Sequence, residues 1–153
     1  MKKKVLIISF IVLFLDLLSK YLVFHFFDAG IKYSLIGSFL SIYPIKNTGA
    51  AFSMFDNMNL FLISISVIIL IYLLVVMNKQ KEKLFYYLSY GLLIGGLFGN
   101  LVDRIIYSSV RDFISFKFFS YEFAIFNVAD IAIVVGAIIL IFLSLFKEKS
   151  VWK

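Results

Sequence analysis

The sequence predicts a membrane protein with an all-α core of four transmembrane helices and a small β-rich extracytoplasmic platform built from two outer loops. Three observations predict it. Of 153 residues, 63% are apolar and 16% charged, where a soluble domain averages roughly 45–50% and ~25%. A water-soluble fold this small could not hide that much apolar surface. Four apolar stretches are long enough, or nearly so, to cross a ~30 Å hydrocarbon layer. The two long connections between them are rich in Phe, Tyr and Ile with partial period-two alternation, as strands are. No linker, low-complexity tract or repeat divides the chain, so residues 1–153 read as one integral membrane domain.

The elements follow in order. The first helix spans about 5–27 and is interrupted by Asp16 and Lys20. Lys2, Lys3 and Lys4 ahead of an apolar run resemble a secretory signal. The run is too long for one, holds an acid and a base, and lacks a convincing small-x-small cleavage site, so it reads as a retained helix. The second helix, about 60–77, has no charge. The third, about 84–106, carries Gly91, Gly95 and Gly99 at spacing four, a ridge that lets a neighbouring helix come close beside Asn100. The fourth, about 128–146, has Asp130 near its start. Residues Ile31 to Ile45 and Phe113 to Phe126 read as short strands or flat segments at the membrane surface. They suit an aromatic belt and a platform gripping an extended peptide or lipid chain equally well.

Charge gives an orientation. Lys2, Lys3, Lys4, Lys79, Lys81, Lys83, Lys147, Lys149 and Lys153 fall on one side, while the two long loops carry Lys32, Lys46, Arg104, Arg111 and Lys117. The excess of Lys and Arg marks the cytoplasmic side, so both termini are expected there and both long loops outside. The net charge of +6 sits at segment ends rather than along a face, which argues against nucleic acid as a partner. With no cysteine and one histidine, His25, disulfides, thiolate sites, a histidine triad and a zinc site drop out. His25 reads as an interfacial side chain, and no metal or cofactor is expected.

The polar residues gather at one level. Counting ~1.5 Å per helical residue from Lys4, Asp16 lies ~18 Å and Lys20 ~24 Å up the first helix. Asn100, Asp103 and Arg104 close the third helix, Asn127 and Asp130 open the fourth, and Asp112 lies in the loop between. Ionisable groups in a membrane are costly and need a partner or a purpose. Asp16 and Lys20, four apart, form an ion pair on one face that reads as structural, and Asp103 beside Arg104 reads as a brace. Asp112 and Asp130 have no basic partner on their own faces. Two acids sharing one boundary can divide the work of peptide hydrolysis, one holding a proton and one accepting it. They can also serve as proton or cation sites of a small transporter. A third reading is a non-enzymatic assembly factor that holds lipid on the aromatic platform.

At these residues the chain resembles the lipoprotein signal peptidases (signal peptidase II), bacterial intramembrane aspartyl proteases. The resemblance lies in DLLSK (Asp16 to Lys20), NTGAAF (Asn47 to Phe52), GGLFGNLVDR (Gly95 to Arg104), VRDF (Val110 to Phe113) and FNVADIA (Phe126 to Ala132). It implies that Asp112 and Asp130 are the catalytic pair. Asn47, Gly49, Asn100, Arg104 and Asn127 would support the site or bind substrate, and Asp16 and Lys20 would hold the structure. It further implies a diacylglyceryl-modified prolipoprotein substrate cut before the modified cysteine, an active site near the extracytoplasmic face of the bacterial cytoplasmic membrane, and membrane lipid as surroundings; a monomer is expected. Two positions depart from the family pattern. Leu17 stands where a Gln is usual, and Ser108 where a Gly is usual.

Overall fold

A computed structural model describes residues 2–49, 54–78 and 83–148. Ala50, Ala51 and Phe52 of the NTGAAF motif lie outside the described residues, as do Lys79, Lys81, Lys149 and Lys153. The chain runs α1 (Lys2–Phe26), β1 (Tyr33–Ile36), β2 (Leu40–Asn47), α2 (Asn59–Met77), α3 (Leu84–Tyr107), β3 (Val110–Phe118), β4 (Tyr121–Glu122) and α4 (Val128–Glu148). All four helices are long and apolar enough to cross a membrane. The two connections expected to hold strands supply one antiparallel sheet of order β1-β2-β3-β4.

Helix α3 is the centre of the bundle and packs on the other three. Glycine permits this on two sides. A Cβ at Gly91 would meet the Ile8 side chain, and one at Gly95 would lie 2.6 Å from Ser9 O and 2.7 Å from Val12 Cβ, so α1 rests directly on that ridge. The opposite ridge belongs to α4: a Cβ at Gly96 would come within 2.5 Å of Ala129 O, and one at Gly136 within 2.9 Å of Leu93. Such close backbone approach is how helices associate in lipid, where no hydrophobic force drives them together. Two serines use it, Ser9 Oγ donating to Gly91 O at 3.2 Å and Ser89 Oγ to Gly136 O at 2.8 Å. Spacing four in the sequence marked the α1 side alone. The α4 side was missed because its glycines lie on two different helices.

Helix α2 leans chiefly on α3. Its Leu60, Ile68, Ile71 and Tyr72 face outward, as a lipid-facing helix requires.

The sheet is bent at one place that matters for the site. Between Ile42 and Ile45 the register of β2 slips against β3, so that Ile42 pairs with Ile114 but Ile45 with Asp112. This bulge contains Pro44, the chain's one proline, and proline has no N–H to lose from a ladder there. One extra residue flips every later side chain to the other face. Asn47 therefore shares a face with Ile45 and Asp112; without the bulge Lys46 would take that face. Along β3, Ser115 is buried against Ser41, while Ile114 and Phe116 are half-buried.

Replacing Gly95 by Val should push α1 off α3 and cost about 1–3 kcal/mol. It should appear as a lower thermal unfolding midpoint in detergent micelles; an unchanged midpoint would mean the helices do not meet at Gly95.

Candidate active site

The site is built on the first turn of α4, whose N–H groups lack helical partners. Asn127 stands just before the helix. Its Oδ1 accepts the Asp130 N–H at 2.9 Å, and Asp130 Oδ2 accepts the Asn127 N–H at 3.2 Å, a reciprocal capping box. Asp16 reaches across from α1, its Oδ1 accepting the Ala129 N–H at 2.9 Å. The carboxyl of Asp130 is thereby held by the start of its own helix. Its Oδ1 accepts Asn100 Nδ2 from α3 at 2.7 Å.

The second acid comes from β3. Asp112 Oδ1 accepts Asn127 Nδ2 at 2.7 Å, and Oδ2 accepts Asn47 Nδ2 at 3.0 Å. Asn127 thus touches both acids and also donates from Nδ2 to Asn100 Oδ1 at 3.0 Å. Asp112 is 2% exposed and Asp130 is half-buried. Among the described residues neither forms an ion pair; the side chains bonded to them are neutral amides, with the Arg104 guanidinium in the same pocket. Burial first, and then the charge of Asp130, pushes the Asp112 carboxyl up to about 7, against the hydrogen bonds of Asn47 and Asn127 and the field of Lys20.

Both acids line one pocket of about 640 Å³. Asn47, Asn100 and Arg104 complete its polar end. The remainder is apolar, with Leu62 and Ile65 of α2, Leu97 of α3, Ile131 and Val134 of α4, and Phe123 to Phe126 beside the sheet. Arg104 Nη2 donates to Gly49 O at 3.2 Å, and its own carbonyl accepts Asn59 Nδ2 at 3.1 Å. Both feet of the β2–α2 connection are therefore fastened to one residue. Gly49 N donates in turn to Asn47 Oδ1 at 3.0 Å, which turns the Asn47 amide nitrogen toward Asp112.

Behind the pocket lies a buried ion network. Lys20 Nζ is 2.7 Å from Asp16 Oδ2 and 3.4 Å from Asp103 Oδ2, and all three side chains are 0% exposed. Asp103 also accepts the Arg111 backbone N–H at 3.0 Å and its Nη2 at 2.8 Å. This corrects one expectation. Asp103 braces against Arg111 and Lys20 rather than against Arg104, because adjacent helical residues point about 100° apart, sending Arg104 into the pocket and Asp103 behind it. Arg111 and Asn59 were missed; Arg111 is eight positions from Asp103, across the turn that ends α3, and no helical spacing connects them.

The structure thus brings Asp112, Asp130, Asn47, Asn100, Arg104 and Asn127 to one place, with Gly49 bonded to Arg104 and with Asp16 and Lys20 beneath. His25 is exposed and stacks on Tyr21, ring centroids 5.7 Å apart. Ser108 ends α3 with φ +54°, in the left-handed region, where a glycine has no side-chain penalty. That is the physical reason a glycine suits this position.

Comparison with known proteins gives consistent matches. A family model described as "Signal peptidase (SPase) II" matches residues 8–146. A lipoprotein signal peptidase of Caldanaerobacter subterraneus subsp. tengcongensis is 43% identical over 143 residues, 94% of this chain and 96% of that protein. One from Staphylococcus aureus is 37% identical over 147 residues, 95% and 89% of the two chains. Among solved structures, a bacterial membrane enzyme obtained by the in meso method at 2.3 Å superposes with a TM-score of 0.88 and 33% identity, covering 97% of this chain and 91% of its own.

Proposed function

The chain belongs to the signal peptidase II family, a family of membrane proteases, and we propose that it cleaves diacylglyceryl-modified prolipoproteins before the modified cysteine, with Asp112 and Asp130 as its catalytic pair. Removal of signal peptides from prolipoproteins is the activity the family carries. Neither a transporter nor a lipid-holding factor accounts for that membership. The observation that carries the residue assignment is the pairing of the two acids: on different elements, in one pocket, linked through one asparagine and without a basic partner among the described residues.

The chemistry follows from their surroundings. Burial and the charge of Asp130 push the Asp112 carboxyl up to about 7, so a large share of it carries a proton near neutral pH and can act as the acid. Asp130 is half-buried at the pocket wall and its bonded neighbours are N–H donors, which suits a carboxylate. Water attacks the scissile carbonyl carbon as Asp130 takes its proton, and Asp112 gives its proton to the carbonyl oxygen. The tetrahedral diol then collapses. The C–N bond breaks, the leaving amine takes the proton held by Asp130, and Asp112 recovers its own from the diol. The apolar stretch between α2 and α4 fits the hydrophobic segment of a signal peptide, and the aromatic residues Phe123 and Phe126 fit its lipid-bearing end. The working unit in this reading is a monomer surrounded by membrane lipid.

The lysine distribution supports cytoplasmic termini and a catalytic centre near the extracytoplasmic face. There a signal peptide inserted from inside exposes its cleavage region and water is at hand.

Asp112→Asn and Asp130→Asn should each lower kcat by roughly 10²–10⁴-fold while leaving the protein folded. A gel-shift assay on lipid-modified prolipoprotein checks this, and cleavage at wild-type rate by either variant rejects the pair. The required proton on Asp112 is lost as pH rises through about 7, so kcat/KM should fall about tenfold per pH unit beyond it. Asn47→Ala removes a bond that favours the ionised form, so this alkaline limb should move to higher pH; movement to lower pH would contradict the assignment. For orientation, the chain has no cysteine of its own. A membrane-impermeant maleimide should label Ser38→Cys in intact cells and Asn78→Cys only after permeabilisation, and the opposite pattern would invert the topology.

A further inference from the structure

We infer that Lys20 is a positioning residue for the reaction, acting through the side-chain amide of Asn100 on the Asp130 carboxylate. The inference rests on the peptidase reading above and goes beyond the holding role that the resemblance implies for Lys20.

Three contacts carry it. Lys20 Nζ donates to Asn100 Oδ1 at 3.1 Å. Asn127 Nδ2 donates to the same oxygen at 3.0 Å. Asn100 Nδ2 then donates to Asp130 Oδ1 at 2.7 Å. An ammonium has donors and no acceptor, so the Asn100 atom facing it has to be the oxygen. The nitrogen of that amide is left no direction but toward Asp130. Asn127 is oriented independently, because its Oδ1 accepts the backbone N–H of Asp130 at 2.9 Å and an N–H cannot accept. Lys20 and Asn127 therefore fix together which way Asn100 points, and Lys20 is the one of the two that brings a charge. Hydrogen bonds in a chain polarise one another in a low-dielectric interior, so the same charge strengthens the N–H that Asn100 offers to Asp130.

A buried ammonium needs a further acceptor beyond its ion pairs, and the one present here belongs to the pocket wall. Asp16 at 2.7 Å and Asp103 at 3.4 Å flank the ammonium with opposite charge, and the third contact reaches the Asn100 amide. Lys20 itself is fully buried and does not line the pocket. Its loss should thus leave substrate binding alone and reach the chemistry through Asn100.

The experiment separates this from bracing. Removing Lys20 alone strands the buried Asp16 carboxylate, while Asp103 keeps Arg111, so the variants are made in an Asp16→Asn background, which keeps an oxygen for the Ala129 N–H and balances the charge removed. Lipid-modified prolipoprotein is the substrate, with wild type and Asp112→Asn as controls. We expect Asp16→Asn/Lys20→Met to lose at least tenfold in kcat relative to Asp16→Asn, with KM within twofold. Asp16→Asn/Lys20→Gln, which restores an N–H donor, should regain part of that loss. Adding Asn100→Ala to the Met variant should cost far less than Asn100→Ala costs alone. Wild-type kcat in the Met variant overturns the inference, as do fully multiplicative Lys20 and Asn100 effects. Unfolding of every Lys20 variant, read by thermal melting, also overturns it and makes Lys20 a brace. A wild-type protein that leaves the substrate intact fails the peptidase reading itself, and is told apart because the loss then precedes any change at Lys20.

Discussion

A lysine with no exposed surface, set between two carboxylates inside an apolar helix bundle, is the interaction on which the rest of this structure depends. An isolated buried charge costs many kcal/mol, and a pair survives only where further hydrogen bonds satisfy what remains of both groups. Here each partner's remaining capacity is used to fasten another element. Asp16 takes the first turn of α4, Asp103 takes β3 through Arg111, and Lys20 takes Asn100. The demand for satisfaction thus converts one costly pair into the joint that connects α1, α3, α4 and the sheet.

Above that joint the acids of the pocket are treated differently. Asp112 and Asp130 receive amides instead of ions, and the proline bulge of β2 delivers the last of these amides by putting Asn47, rather than Lys46, on the face of Asp112. A lysine there would neutralise the acid. An amide leaves it poised, with burial and a second carboxylate setting its proton affinity. Charge balance below and charge restraint above are two solutions to the same dielectric problem, separated by one layer of asparagines.

Much of this was legible in the residues. Length and hydropathy marked four helices, alternation marked the strands, and the spacing of Asp16 and Lys20 marked their pairing, because each of these signals repeats at a helix or strand period. The gathering of Asn100, Asp112, Asn127 and Asp130 at one level followed from counting residues along helices that alternate in direction. What stayed hidden depended on backbone events without a period. Register beyond Pro44 turns on a bulge, the Asp103–Arg111 pair forms across the left-handed turn at Ser108, and the second glycine ridge is shared between α3 and α4.

The capping box that opens α4 has an evolutionary consequence. In the peptidase reading, the same atoms of Asn127 and Asp130 that meet a reacting substrate also cap the start of a helix, so selection on stability and selection on activity would act there on one set of bonds. The apolar wall of Ile131 and Val134 carries no such double duty, and aliphatic side chains of similar volume exchange there at little cost. A compound that competes for this pocket by gripping its polar end would therefore leave few routes to resistance. One that relies on the aliphatic wall would invite escape by single substitutions.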